Sequence, residues 1–278
     1  MFTFFSINHG DSNENKKVQD LYKFDELKLP RTSSFYTYQG SCSLAKDILG
    51  TGSESSDVRS FVNPFTNAET AVKRVMYADL ESENDGEKKE VIKNSQAESI
   101  CNKIFHKLGE FYESKEGVYI LMKKLPPSIS QLYFEGTNQV TSYREFLEIF
   151  ISIVNVVKDL HTKGISHGDL NAGNVLLDKK SMQASLCDFN KIKMKNIRAF
   201  ADDVYEIGSL ISTFESLKKL NLLTDKEIAK LQELTNSMCN QEYELRISID
   251  EVLTFLVKEL KEIKEKQEVS HRIHSSYM

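Results

Sequence analysis

The chain has 278 residues, enough for one large domain or two lobes around a sizeable buried core. It carries 36 Lys and Arg against 41 Asp and Glu, for a formal net charge of -5. That balance, with only short and interrupted basic clusters, argues against a nucleic-acid partner, and no apolar run reaches the length of a membrane span. Cys42, Cys101, Cys187 and Cys239 are widely spaced and read as free thiols of a reducing, cytoplasmic compartment. Residues 1–17 lack the basic start and long apolar stretch of a signal peptide.

Residues 1–35 are polar and irregular and read as an N-terminal extension. From Ala45 the runs AKDILGTG, SDVRSFVNPFT and ETAVKRVM are short and β-rich, separated by Gly or by the turn-like PFTNAE. The charged stretch DLESENDGEKKEVIK leads into a predicted helix, SQAESICNKIFHKL. GVYILMKKLPP is an apolar strand stopped by two prolines. Ser142 and Glu145 have the spacing of a capping box and open the helix YREFLEIFISIVNVVKDLHTKG. On it Phe146, Ile149, Phe150, Ile153, Val157 and Leu160 form one apolar face. NVLLD and ASLCDF are two short strands around the turn DKKSMQ. Thr224 and Glu227 open a further helix toward Met238, and SIDEVLTFLVKELKEIKEK is the last, its KELKEIKEKQE end a solvated face. No internal repeat is present. The expected organisation is the extension at 1–35, a β-rich lobe at 36–125 and a helical lobe at 126–278, an α+β class.

The segment ISHGDLNAGNVLLD, residues 165–178, concentrates acid and amide between apolar flanks. Asp169, Asn174 and the later Asp188 form a hard oxygen set that suits Mg²⁺ shared with phosphates, and one carboxylate can stay free to accept a proton. Gly50 and Gly52 sit between two strands, where bare backbone amides can approach a phosphate. Lys73 on a following strand supplies a point charge. Each signal is weak alone; their order along the chain carries the weight. Gly164-Ile-Ser166-His-Gly168 also fits the hydrolase pattern G-x-S-x-G, but a long helix precedes it and strands follow, the reverse of what that elbow needs. No Gly-Lys pair of a Walker-A loop and no H-E-x-x-H occurs.

In that order the motifs resemble those of protein kinases, over roughly residues 45–260. Gly50-Thr51-Gly52-Ser53-Glu54-Ser55 resembles the glycine-rich loop, with Ser55 for the third Gly and Val58 displaced by one. Ala71-Val72-Lys73 resembles V-A-I-K, so the resemblance gives Lys73 to the ATP phosphates. Glu98 is the first choice for the helix acid that holds it, and Glu90 the second. Met122-Lys123-Lys124-Leu125 resembles the hinge that receives adenine. His167-Gly168-Asp169 resembles H-R-D, which makes Asp169 the catalytic base; the histidine is assigned no chemistry, because in this family it packs on the Phe of D-F-G. Asn174 and Asp188, the latter in D-F-N, would hold Mg²⁺. Asp203-Val-Tyr-Glu-Ile-Gly208 resembles D-x-W-x-x-G, whose Asp braces the catalytic loop, and Glu244–Val252 resembles the late R-P-x-x-x-x-V-L segment.

Several positions depart from the pattern. Gly168 stands for the Arg of H-R-D, and Asn171 where Ser/Thr kinases carry Lys. Asn190 replaces the Gly of D-F-G, and Asn is the residue that best tolerates positive φ there. If Glu98 is the helix acid, Asn102 falls at an apolar position. Only residues 191–202 separate Asn190 from Asp203, A-P-E is absent, and Arg246 is expected to lack its usual Glu partner. The segment KIKMKNIRAFAD has no Ser, Thr or Tyr, so activity is expected to need no phosphorylation there. Its Lys191, Lys193, Lys195 and Arg198 offer a hold for an anion or an acidic substrate, against a plain solvated loop. Cys187 reads as core, with a thiol that meets an electrophile in the ATP site as the alternative. The resemblance implies transfer of the γ-phosphoryl of Mg-ATP to a Ser or Thr hydroxyl of a protein substrate. A small-molecule kinase and a non-catalytic pseudokinase scaffold remain alternatives, and the oligomeric state is left open.

Overall fold

The computed structural model describes residues 48–51, 56–62, 69–77, 85–113, 117–135, 140–214 and 223–275. The proposed extension at 1–35, Cys42 and the loop residues Gly52, Ser53, Glu54 and Ser55 lie outside them. Strands β1 (Ile48–Thr51), β2 (Ser56–Val62), β3 (Glu69–Met76), β4 (Gly109–Glu113) and β5 (Gly117–Lys123) form one antiparallel sheet in the order β1-β2-β3-β5-β4. Helix α1 (Asp85–His106) packs on β4 and β5. The helical part follows: α2 (Tyr143–Thr162), β6 (Ile165–Ser166), β7 (Val175–Asp178), β8 (Gln183–Leu186), β9 (Lys193–Met194), α3 (Ile197–Phe214), α4 (Asp225–Met238) and α5 (Ile249–Ser275). β7 and β8 pair as a hairpin, and β6 pairs with β9. This is a two-lobed α+β fold, a five-stranded sheet followed by a mostly helical part.

β5 is almost wholly apolar and buried, while the central β3 is buried over most of its length although half of its residues are polar, so that Lys73 and Thr70 are buried with it. The long apolar face read on α2 is the core of the helical part: Phe146, Ile149, Phe150, Ile153, Val157 and Leu160 are each 0–1% exposed. Phe214 of α3 meets Phe150 edge-on at 5.4 Å. α3 approaches α4 closely at Gly208, where an added Cβ would fall 2.7 Å from the Cys239 sulfur. The segment that follows β5 is tied to β7: Leu177 donates its N–H to the Pro127 carbonyl at 3.0 Å, and Ser128 bridges Leu176. Among the described residues no helix is long and apolar enough to cross a membrane.

Four local differences from the sequence reading have plain causes. α1 starts at Asp85 rather than at Ser95, since its first turns are charged helix formers that need no buried face. β4 has no counterpart in that reading; it is short and mostly half-exposed, and GEFYE carries no clear period. The box at Thr224 closes fully, whereas that at Ser142 closes by half. Ser142 Oγ accepts the Glu145 N–H, but the Glu145 carboxylate accepts from the Thr141 N–H and hydroxyl instead of reaching Ser142. The α5 face is not wholly solvated: Glu259 is 5% exposed and pairs with Lys230 of α4.

Candidate active site

The ladder places Lys73 opposite Val58 of β2 and Ile120 of β5, in the middle of the sheet. A charge so buried, 7% exposed, needs partners. Lys73 Nζ finds two, Glu98 Oε2 at 2.9 Å and Asp188 Oδ1 at 2.5 Å. Burial alone would depress the ammonium; the two carboxylates outweigh it, and the lysine pKa lies above its ordinary value. Glu98 is 2% exposed on α1, while Glu90, two turns earlier, is exposed. The polar Asn102 one turn after Glu98 is fully buried, and its Nδ2 donates to the Glu98 carbonyl at 3.0 Å, so its place in an apolar environment rests on backbone pairing.

The loop after β6 is held from beneath by α3. Asp203 is 0% exposed; its carboxylate accepts the N–H groups of His167 and Gly168, both at 2.8 Å, and faces His161 Nε2 at 2.7 Å. His167 Nε2 lies 2.9 Å from the Cys187 carbonyl, which only accepts, so that nitrogen carries the hydrogen. Burial holds the imidazole pKa below its ordinary value, and the ring packs 5.3 Å from Phe189. Asn171 closes an Asx turn, its Oδ1 accepting the Gly173 N–H at 2.8 Å. Asn174 Nδ2 donates to the Asp169 carbonyl at 2.8 Å and to Asp169 Oδ2 at 3.3 Å. Asp169 is thus fixed beside Asn174, at the mouth of the cleft, its side chain 30% exposed.

Asp188 itself takes the left-handed backbone, φ 63°, and Asn190 lies in the 3₁₀ turn Phe189–Lys191. The expectation of positive φ at Asn190 is therefore corrected: the reversal is made one step earlier, and Asn190 needs no Gly-like backbone. Phe189, 1% exposed, anchors the turn between His167 and Phe105. Arg246 is not without an acid: it pairs with Asp202 at 2.8 Å and lies over the Tyr205 ring at 5.0 Å. Burial, then the Asp188 carboxylate, push the Cys187 thiol up to about 12, which leaves it a poor nucleophile.

Of the hinge residues, Met122 is buried on β5 opposite Ala71, Lys123 is exposed at the strand end, and Leu125 is half-buried beyond it. Gly50 pairs with Val58 and Thr51 with Asp57, so β1 ends beside the strand that faces Lys73. The fold thus brings Lys73, Glu98, Asp169, Asn174 and Asp188 to one cleft, with Met122–Leu125 along the exit of β5.

Two residues near the loop take partners that the sequence did not assign: Lys191, read there only as one of four loop cations, and Glu206. Lys191 Nζ lies 3.3 Å from Asp169 Oδ2. Glu206 accepts the Leu170 N–H at 2.7 Å, and burial, aided by Asp203, Asp169 and Asp202 and opposed by that hydrogen bond, raises its carboxyl to about 7. A raised acid makes folding take up a proton between its unfolded value and about 7. That stability is complete below the window and lost as pH rises through it. His106 and His167, held by burial below their ordinary values, contribute in the opposite sense, so the quantity that reports Glu206 is the difference: from about pH 5 to about pH 8 the Tm of the wild type is expected to fall relative to that of Glu206→Gln. Parallel profiles would remove Glu206 as the cause.

The family model for the protein kinase domain matches residues 44–205. The chain belongs to the protein kinase family. No curated protein matches it. The matched stretch contains Lys73, Glu98, Asp169, Asn174, Asp188 and Asp203 and ends within α3. The residues fit the metal that kinases use: Asn174 Oδ1 and Asp188 Oδ2 have no protein partner among the described residues, leaving two hard oxygens for Mg²⁺.

Proposed function

We propose that this kinase moves the γ-phosphoryl of Mg-ATP to a Ser or Thr hydroxyl of a protein. The observation that carries the reading is the buried cluster in which Lys73 meets Glu98 and Asp188, residues 25 and 115 positions away. A kinase needs such a lysine charged and aimed before the nucleotide arrives, and Glu98 supplies both. Lys73 would anchor the phosphates, the amides of Gly50 to Ser53 would lie over them, and Met122 to Leu125 would receive the adenine. Asn174 and Asp188 would hold Mg²⁺, which when bound supplies positive charge to the phosphate oxygens. Asp169 would orient the acceptor hydroxyl and take its proton.

The expected result is a Tm that rises with Mg-ATP and transfer of label from γ-labelled ATP to generic protein acceptors. Ligand at a hundred times Kd adds about 2.7 kcal/mol to the folded state. No shift at millimolar Mg-ATP would sink the reading. A shift without transfer to any acceptor would instead indicate a binding scaffold. A small-molecule acceptor is the second reading, favoured by the short span from the Phe189–Lys191 turn to the start of α3 at Ile197, which leaves little chain to dock a peptide. Label appearing on small hydroxyl compounds and on no protein would decide for it.

A further inference from the structure

The backbone of Lys191 is held on both sides although its side chain is exposed. On one side it ends the 3₁₀ turn whose Phe189 is buried against His167 and Phe105. On the other, Lys193 pairs with Ser166 in the β6–β9 ladder, and Ser166 Oγ donates to the Lys193 carbonyl at 3.2 Å. Between these anchors the backbone closes on the loop at Gly168. Gly168 has φ 76°, and a Cβ there would fall 2.6 Å from the Lys191 carbonyl oxygen. The residue before Asp169 must be Gly for the chain to pass at this distance, and that passage delivers Nζ to Asp169 Oδ2.

The two oxygens of Asp169 are consequently unlike. Oδ2 receives Lys191 Nζ at 3.3 Å and Asn174 Nδ2 at 3.3 Å; Oδ1 has no partner among the described residues. We infer that Lys191 is a positioning residue for phosphoryl transfer: with Asn174 it holds Oδ2 and leaves Oδ1 as the atom that takes the acceptor proton. The inference rests on the proposed kinase reading. In the step, the acceptor oxygen bonds to the γ-phosphorus as the bond to the β–γ bridging oxygen breaks. That oxygen leaves on ADP with the electron pair, and the hydroxyl proton passes to Asp169 Oδ1. Lys191 fixes the rotation of the carboxylate while its side chain stays half-exposed.

The pair is too exposed to stabilise the fold much, so substitution tests the role and leaves folding intact. Lys191→Met keeps the aliphatic stem and removes the charge; Lys191→Arg keeps the charge. Steady-state transfer from Mg-ATP is measured for both beside the wild type, with Tm in the presence and absence of Mg-ATP. The expected result for Lys191→Met is a kcat about 10- to 100-fold lower, an unchanged KM for ATP and an unchanged Mg-ATP shift in Tm. Lys191→Arg should recover most of the loss. A kcat for Lys191→Met within twofold of the wild type overturns the inference and leaves the kinase reading standing. So does a loss that comes with a lost Mg-ATP shift or that Arg does not mend. A wild-type protein that transfers nothing contradicts both.

Discussion

Asp169→Ala is expected to lower phosphoryl transfer about 10³-fold or more while the Mg-ATP shift in Tm survives. The variant removes the carboxylate beside Asn174 and Lys191 but no atom of the Lys73 cluster. The acceptor then has no base, and nucleotide binding keeps Lys73, Glu98 and Asp188. Asp188→Ala is the contrasting case. It takes away a metal oxygen and one of the two acids that hold Lys73, so both transfer and the shift should vanish. Initial rates with γ-labelled ATP and melting curves on the same two preparations check the pair. Wild-type turnover in Asp169→Ala would refute its assignment as base, and an intact Mg-ATP shift in Asp188→Ala would refute Asp188 as metal ligand.

The largest stability effect is expected at Asp203, which touches no reacting group. Its carboxylate accepts the His167 and Gly168 N–H groups and meets His161. In Asp203→Ala these donors lose their partner where little water can replace it; each unpaired group costs about 1–3 kcal/mol. A total of about 3–5 kcal/mol follows, or a Tm lower by roughly 6–15 °C. Transfer should fall too, because the same two N–H bonds fix the backbone that carries Asp169. The Mg-ATP shift, read at a temperature where the variant is folded, should persist. A Tm within 2 °C of the wild type would mean that the loop is held by something other than Asp203.

Much of this was open to reading from the chain alone, for reasons specific to each element. The face of α2 follows from apolar residues at three- and four-residue spacing, β5 from an apolar run that tolerates burial on both sides, and β3 from a short β-rich run bounded by turn residues. Order along the chain then made weak signals strong: a G-x-G turn, a strand lysine and an acid–amide loop are each common, but their sequence is the kinase one. Where the local pattern was silent the reading fell short. β4 has no clear period, and the first turns of α1 are charged throughout.

Local sequence determined the helices, the central strands, the lobe order and the family, because hydrophobic period and motif order are properties of neighbouring residues. Only the tertiary structure decided which acids meet which bases. It chose Glu98 over Glu90, put Asp202 on Arg246, moved the backbone reversal from Asn190 to Asp188, and turned Lys191 from a loop cation into a partner of Asp169. Charged side chains have no period that announces a partner. Their pairing depends on distances of a few ångströms between residues far apart in the chain, and packing alone sets those distances.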